Sequence, residues 1–464
     1  MTKNISVKES INKVKSLLAA EKNISPALKA AIEVLISLQM LLVDRLSLSS
    51  SNSSKPPSDD KKRKRGSKKK KSKKKPGGQK GHDGSRLNKV DDPDKIKELK
   101  IDRRTLPKGK YRVVGFESRQ VFDIKITRDI TEFRAEILED QDGNRYVAEF
   151  PPHIKKDVQY GVGVKSTAVY MSQFQLIPYD RVRDQFVDQM HLPLSTGTLF
   201  NFNKAAYRAL KTYDEIAKQQ LIQSEQAHSD ETGIQVGKKR IWLHTVCNNL
   251  WTYYYPHKKR GSEAMDEIGI LPNFRGILCH DHWKPYYSYN CIHALCNAHH
   301  KRELVYAEEQ DNQKWAKEMK GLLAEINKAV DKAGGKLSKV KSKRYREKYR
   351  KILRAAEIEC PEPKRKKTKG KRGRPKKSKS RNLLERLIKF EDDTLRFMDN
   401  KIVPYTNNLG ESDLRMTKVQ QKISGCFRSI EGAYIFCRIR GYISTCRKHD
   451  VHATKALRLL FEGR

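Results

Sequence analysis

The chain has 464 residues, and its 97 Lys and Arg against 55 Asp and Glu leave a net charge of +42. That length allows several domains and at least one sizeable core, while the charge points to a polyanionic partner, nucleic acid first. Eight cysteines without a CxxC pair exclude a disulfide framework, so a cytoplasmic protein is expected.

Two segments concentrate the charge: Lys61–Lys75 holds 12 basic residues in 15 and Lys364–Arg381 holds 12 in 18, which leaves +18 on the other residues. The folded part is therefore basic too. The longest apolar stretch, Val34–Val43, contains Ser37 and Gln39 and is about half of the ~20 residues that a membrane span needs. No membrane partner is expected.

Near the start, Ser25-Pro26 is a helix-start signal. Leu28, Ile32, Leu35, Gln39, Leu42 and Leu46 then repeat at heptad spacing, which suits either a coiled coil or a helix packed on its own domain. We assign residues 1–47 to helical oligomerisation, with a dimer expected. Residues 48–88, with Pro56-Pro57 and the first basic block, have too little apolar side chain to order and read as a disordered basic linker.

Residues 89–155 read as a small β-rich domain. Val121, Asp123 and Lys125 alternate with Phe122, Ile124 and Ile126, and Asp142-Gly143 is a turn. Asp180–Met190 and Ser195–Leu210 predict two helices, the second capped by Ser195, joined by His191-Leu192-Pro193-Leu194, a helix-turn-helix-like domain over 156–222. Gly161–Thr167 lacks the Walker spacing, so no nucleotide site is read there.

From Gln226 onward three strands (Ala227–Val236, Arg240–Asn248, Leu250–Tyr255), a helix (Ser262–Ile268) and a fourth strand (Gly276–His280) are predicted. That order is the order of a ribonuclease H-like sheet. Asp230 falls within the first strand and Asp281 follows the fourth, so their carboxylates converge if those strands are neighbours. Such a pair can share two divalent ions for phosphoryl transfer. Mg²⁺ suits the role, with Mn²⁺ as the alternative. Glu411 supplies a third acid. On a helix it has Arg415 and Lys418 at i+4 and i+7 on its face, where they can hold phosphate.

His228–Gly233, Asp281 after its apolar strand, Asn407-Asn408-Leu409-Gly410-Glu411 and Lys422–Ser429 together resemble the DDE transposases of the insertion sequence 66 family. Ser54–Ser58, Gly77–His82 and Glu117–Val121 extend the similarity over nearly the whole chain. The resemblance implies that Asp230, Asp281 and Glu411 are the metal-binding catalytic triad. It also implies cleavage at transposon ends, a free 3′ hydroxyl that attacks target DNA, and accessory transposition proteins as further partners. Family members often carry paired CxxC motifs in the small domain. The matching stretches, Ile101–Thr105 and Leu138–Asn144, have none, so no structural zinc is expected.

The cluster Cys291–His300 reads as a helix after the fourth strand, with His293, Cys296 and His300 on one face packed under or beside the catalytic edge, and zinc ligation by thiolate and imidazole is the lesser reading. Its spacing fits no common zinc finger, and His299, His300 or Arg302 is expected to touch DNA or orient an acid. Residues 301–382 read as a basic helical insertion and linker, with Lys314–Glu359 helical. In the linker, Arg372 and Arg374 of Arg-Gly-Arg-Pro resemble an AT-hook core, and the plainer reading is a basic hinge on phosphates. Residues 223–300 and 383–464 would form the two parts of the catalytic core. The latter ends in helices over Phe427–Gly441 and Tyr442–Phe461, with Arg428, Arg438, Arg440 and Arg447 on a basic surface that either holds DNA phosphates or solvates a helix face, and with Lys422 a further DNA-binding candidate.

The fold class expected is thus α/β: a ribonuclease H-like core with a helical insertion, preceded by coiled-coil, β-rich and helix-turn-helix-like parts. The function that the resemblance implies is DNA transposition by two-metal phosphoryl transfer. The rivals are a nuclease or resolvase on the same fold, which would cleave without joining, and a catalytically retired DNA-binding relative.

Overall fold

The computed structural model describes residues 7–21, 23–53, 60, 87–363 and 377–463. The first basic block Lys61–Lys75, the Gly77–His82 motif, Arg372 and Arg374 lie outside the described residues. Contacts divide the chain into two compact units. One comprises Met1–Arg63, Lys155–Arg183 and Leu194–Arg464, and the other Lys64–Ile154 with Asp184–Pro193.

The N-terminal part contains α1 (Val7–Ala20) and α2 (Pro26–Ser47), the latter capped by Ser25. Ser25 accepts a hydrogen bond from the Leu28 N–H, satisfying one of the donors left open at a helix start. The heptad positions Leu28, Leu35, Leu42 and Leu46 are exposed in the single chain. Contrary to the expectation from Val34–Val43, α2 is long and apolar enough to cross a membrane by length and composition, with a mean hydropathy of 1.7 over its best window.

Within 89–155 the strands among the described residues are β1 (Ile137–Glu139) and β2 (Arg145–Val147), a hairpin turning at Gly143 with φ 81°. The strand expected over Val121–Ile126 does not form, and Val121 and Ile124 are exposed. Alternation is only half of a strand's specification, because the apolar face also needs a layer to cover it.

Next come α3 (Val162–Val169), α4 (Tyr179–Met190), α5 (Thr196–Ala209) and α6 (Lys211–Ile222). Ser195 caps α5 through the Thr198 N–H, as expected.

The sheet follows: β3 (Gln226–Val236), β4 (Lys239–Cys247) and β5 (Thr252–His257) form an antiparallel meander. The chain then passes through α7 (Ser262–Ile268) to β6 (Ile277–His280) and β7 (Ile292–Leu295). The strand order is β5-β4-β3-β6-β7, with β3, β6 and β7 mutually parallel. The segment Ile292–Leu295, expected to be helical, is thus the fifth strand. Its buried Ala294 and Leu295 are matched to Cys279 and His280 of β6, and a short apolar run beside a ready strand edge favours pairing over a helical turn.

Helices α8 (Asn297–Asp311), α9 (Lys314–Lys332), α10 (Lys339–Glu359), α11 (Lys379–Lys389) and α12 (Glu391–Asp399) make up the insertion. Gly334 and Gly335, at φ 75° and 109°, break α9 from α10, in a region that L side chains avoid. The insertion does not hang off the sheet. Trp315, Met319, Leu323, Tyr349 and Leu384 share one core with Ile277, Cys279 and Ala294 of β6 and β7.

The chain closes with α13 (Asn408–Ser424), α14 (Ile430–Lys448) and α15 (Ala453–Glu462). The break expected near Gly441 is absent, and α14 runs straight through it. A Cβ at Gly441 would lie 3.2 Å from the Thr252 carbonyl oxygen and 3.3 Å from the Tyr213 hydroxyl. Glycine there brings helix and sheet close together instead of ending the helix.

Candidate active site

Strand alternation decides which side chains can meet. On β3, Ile234 packs with Leu414 and Phe436, whereas Ala227 packs with Leu221 and Leu278 on the other face. Asp230 has the parity of Ile234. On β6, Ile277 and Cys279 face the insertion core, and Asp281 shares their parity. The register pairs His228 with Cys279, so Asp230 and Asp281 each stand two residues beyond a matched pair on neighbouring parallel strands. Their carboxylates leave the same face at the same level.

Helix α13 lies along β3 and brings Glu411 to that level in its first turn. Three ties fix it. At the start, Asn407 Nδ2 donates to the Ser229 carbonyl (3.0 Å) and His228 Nδ1 donates to Asn407 Oδ1 (2.6 Å). Midway, Lys418 Nζ donates to the Gly233 carbonyl (2.9 Å). Beyond the end, Phe427 N donates to Gln235 (2.9 Å) and Gly237 N to Phe427 (2.7 Å), extending the ladder. Gly410 leaves space for Asn407, whose amide atoms would lie 3.2 and 3.3 Å from an added Cβ.

The electrostatics agree with the geometry. Burial first, then the charges of Glu231, Asp281 and Glu411, push the Asp230 carboxyl well above the usual carboxylate range. A buried cluster of like charge is costly unless a cation joins it. The donor set, all carboxylate oxygen, fits a hard divalent ion.

Around the triad sit groups that the sequence reading had only partly marked. Arg302 Nη2 and His299 Nδ1 each lie 3.7 Å from Glu411 Oε1. Arg386, on α11, pairs with Glu303, and Asp281 is near enough for its charge to act on the guanidinium. On the other face of β3, buried Glu231 accepts from Arg260 (2.9 Å to Nε) and Tyr286 (2.6 Å). Arg260 itself stacks between Trp242 and Trp283 at 4.9 and 4.2 Å. Asp281 Oδ1 accepts from the Trp283 N–H (2.9 Å), which steadies the turn after β6. Asn407 belonged to a quoted motif but carried no role there. Arg386 has no local signal, because the insertion delivers it.

Some expected DNA contacts are corrected. His300 is 2% exposed and its ring bonds to Asn297, so it is an internal residue of α8; burial pulls its pKa down to about 3. Arg440 is buried, donating to the Phe174 carbonyl (3.0 Å), and Arg438 pairs with Asp214. Neither forms a basic surface. His280 is fully buried against Tyr286 and His293, so the histidine preceding Asp281 is packing. Arg415, Lys422 and Arg428 are exposed, and Arg302 is half-buried.

Residues 157–435, more than half of the chain, match the family described as Transposase IS66 family. The chain belongs to that family. DNA transposition is therefore its class of activity, with DNA as partner and divalent metal use as the family's habit. The N-terminal residues 2–88 match a family of unknown function, DUF6444. No curated protein matches the chain.

Proposed function

We propose that this IS66-family chain is a DDE transposase with a ribonuclease H-like core, in which Asp230, Asp281 and Glu411 hold two divalent ions, Mg²⁺ or Mn²⁺. The reading rests above all on the shared level of Asp230 and Asp281 on adjacent parallel strands, with Glu411 carried to them by a helix tied along β3. Ions bound there would activate the attacking oxygen and stabilise the leaving one.

The protein's own work is placement. Asn407 sets the height of Glu411 through Ser229 and His228, and Arg302 and His299 limit its rotamers. Arg415, one turn along α13 from Glu411, and Lys422 and Arg428, farther along the chain, are exposed cations that can hold DNA phosphates, whose contribution falls with salt. The basic segments around Lys61–Lys75 and Arg372–Arg374 would add sequence-independent affinity. The helix pair α4–α5 would read the transposon end, and the exposed leucine seam of α2 would pair two subunits, since both ends must be held together. The place of action is the cytoplasm.

The test is joining of a labelled transposon-end duplex to a plasmid in Mg²⁺, wild type beside Asp281→Asn. Wild type should join. The variant should lose about a thousandfold or more, the scale expected when a group acting on transition-state charge is removed, while still binding DNA. Equal joining by both proteins would remove Asp281 from the site. Cleavage without joining would favour the nuclease reading.

A further inference from the structure

The geometry points to a second, softer metal site next to the carboxylate triad: we propose that Cys296, His299 and Glu411 bind a thiophilic divalent ion of the Zn²⁺ class, and that its binding takes Glu411 away from the triad. The inhibitory half of this proposal rests on the catalytic reading of Glu411; the binding half does not.

The three donors come from two elements that meet at one point. Cys296 follows β7 and forms the N-cap of α8, His299 lies in the first turn of α8, and Glu411 lies in the first turn of α13. Their ligand atoms all lie within 4.8 Å of one another. Cys296 Sγ is 4.0 Å from Glu411 Oε1, and His299 Nδ1 is 3.7 Å from the same oxygen. Ligand bonds of about 2.0–2.3 Å place the donors of a tetrahedral zinc ion about 3.3–3.6 Å apart, so a contraction of about an ångström or less closes the site.

Two further observations favour a ligand there. His299 Nδ1 is buried and has no hydrogen-bond partner, and a buried polar atom left open is costly. Cys296 Sγ accepts the Asn407 N–H at 3.1 Å, which holds the sulfur beside Glu411. The site is also reachable, since the His299 and Glu411 side chains keep 24% and 28% of their exposure.

Sorting by hardness follows. A sulfur–nitrogen–oxygen set selects zinc-like ions, whereas the all-oxygen triad suits Mg²⁺. The two sites share Glu411, so they cannot both hold it in the same geometry. Zinc-class ions should therefore oppose Mg²⁺ at this enzyme without competing for Asp230 and Asp281.

Co²⁺ is the probe, because thiolate ligation gives a near-ultraviolet charge-transfer band that oxygen and nitrogen ligands do not. Full-length wild-type protein titrated with Co²⁺ should show the band, and Zn²⁺ should bleach it. Cys296→Ser should lose it, His299→Gln should weaken Co²⁺ binding by about tenfold or more, and Asp281→Asn should keep it. In joining assays at fixed Mg²⁺, Zn²⁺ should inhibit wild type at concentrations about tenfold or more below those needed for Cys296→Ser. A thermal melt of each variant establishes that it is folded. Co²⁺ binding without the band, or a band that survives in folded Cys296→Ser, overturns the site. Zn²⁺ inhibition equal in wild type and Cys296→Ser overturns its sharing of Glu411. Absorbance needs no strand joining, so failure of the catalytic reading would show up separately, as a band without activity.

Discussion

The β3–β4 ladder and the stretch around the β1–β2 hairpin differ in what lies against them. In the first, Ile234 and Leu243 are 1% and 0% exposed beneath α13 and α14; in the second, Val121 and Ile124 remain 92% and 84% exposed. Both stretches alternate apolar with polar residues, and both contain turn glycines. Only the covered one becomes a sheet long enough to aim carboxylates. The lesson is that side-chain period selects a face, while a neighbouring layer supplies the free energy, about 1.5–3 kcal/mol for each large apolar side chain fully buried.

The sharpest way to break this contrast is to make the same kind of truncation in each region. Leu243→Ala should cost about 2–5 kcal/mol of stability, as for other buried leucines, whereas Ile124→Ala should fall within about 0.5 kcal/mol of wild type. Urea unfolding of the two variants decides it; similar losses would mean that Ile124 is covered in solution. Smaller, and specific to the site, is Asn407→Ala. It releases the start of α13 from Ser229 and His228, and it should lower joining by about 10–100-fold, the usual cost of removing a partner that orients a metal ligand. Here activity should fall while most of the stability remains, because the tie at Phe427 still holds the far end.

The smallest effect is a pH dependence seated in the covered sheet. Burial and the neighbouring acids raise the Asp230 carboxyl above its unfolded value. The folded state therefore binds that proton more tightly than the unfolded one. Its stabilising contribution is full below the ordinary carboxylate range and is lost as pH rises through the raised pKa. Metal-free protein melted across that range in chelator should lose melting temperature as pH climbs. Mg²⁺ should restore it by mass action, and Asp230→Asn should flatten the slope. A flat profile for metal-free wild type would show that Asp230 titrates as an ordinary carboxyl.

The core was legible because its signals were local. Ser25-Pro26 started α2, Ser195 capped α5, and the apolar run to His280 ended at Asp281 where β6 ends. The match of Asp230 to Asp281 was legible as a condition, and the parallel pairing of β3 with β6 meets it. Other features depend on partners far away in the chain. Ile292–Leu295 pairs only because β6 stands beside it. Gly441 resembles a break until Thr252 and Tyr213 are seen against it. Arg440 looks like a surface residue until the backbone of Phe174 is found to hold it, and His300, read both as packed and as a DNA contact, is held by the side chain of Asn297.

The insertion has a consequence for how such an enzyme is born. Its helices share a core with β6 and β7, and Asn297 is held by the backbone of Thr394 and Tyr405, just ahead of Glu411. A chain emerging from the ribosome thus displays two of the three acids long before the third, and the clamp at Phe427 is made later still. On the proposed assignment of the three acids, a chain that stops short of Glu411 holds an incomplete carboxylate set.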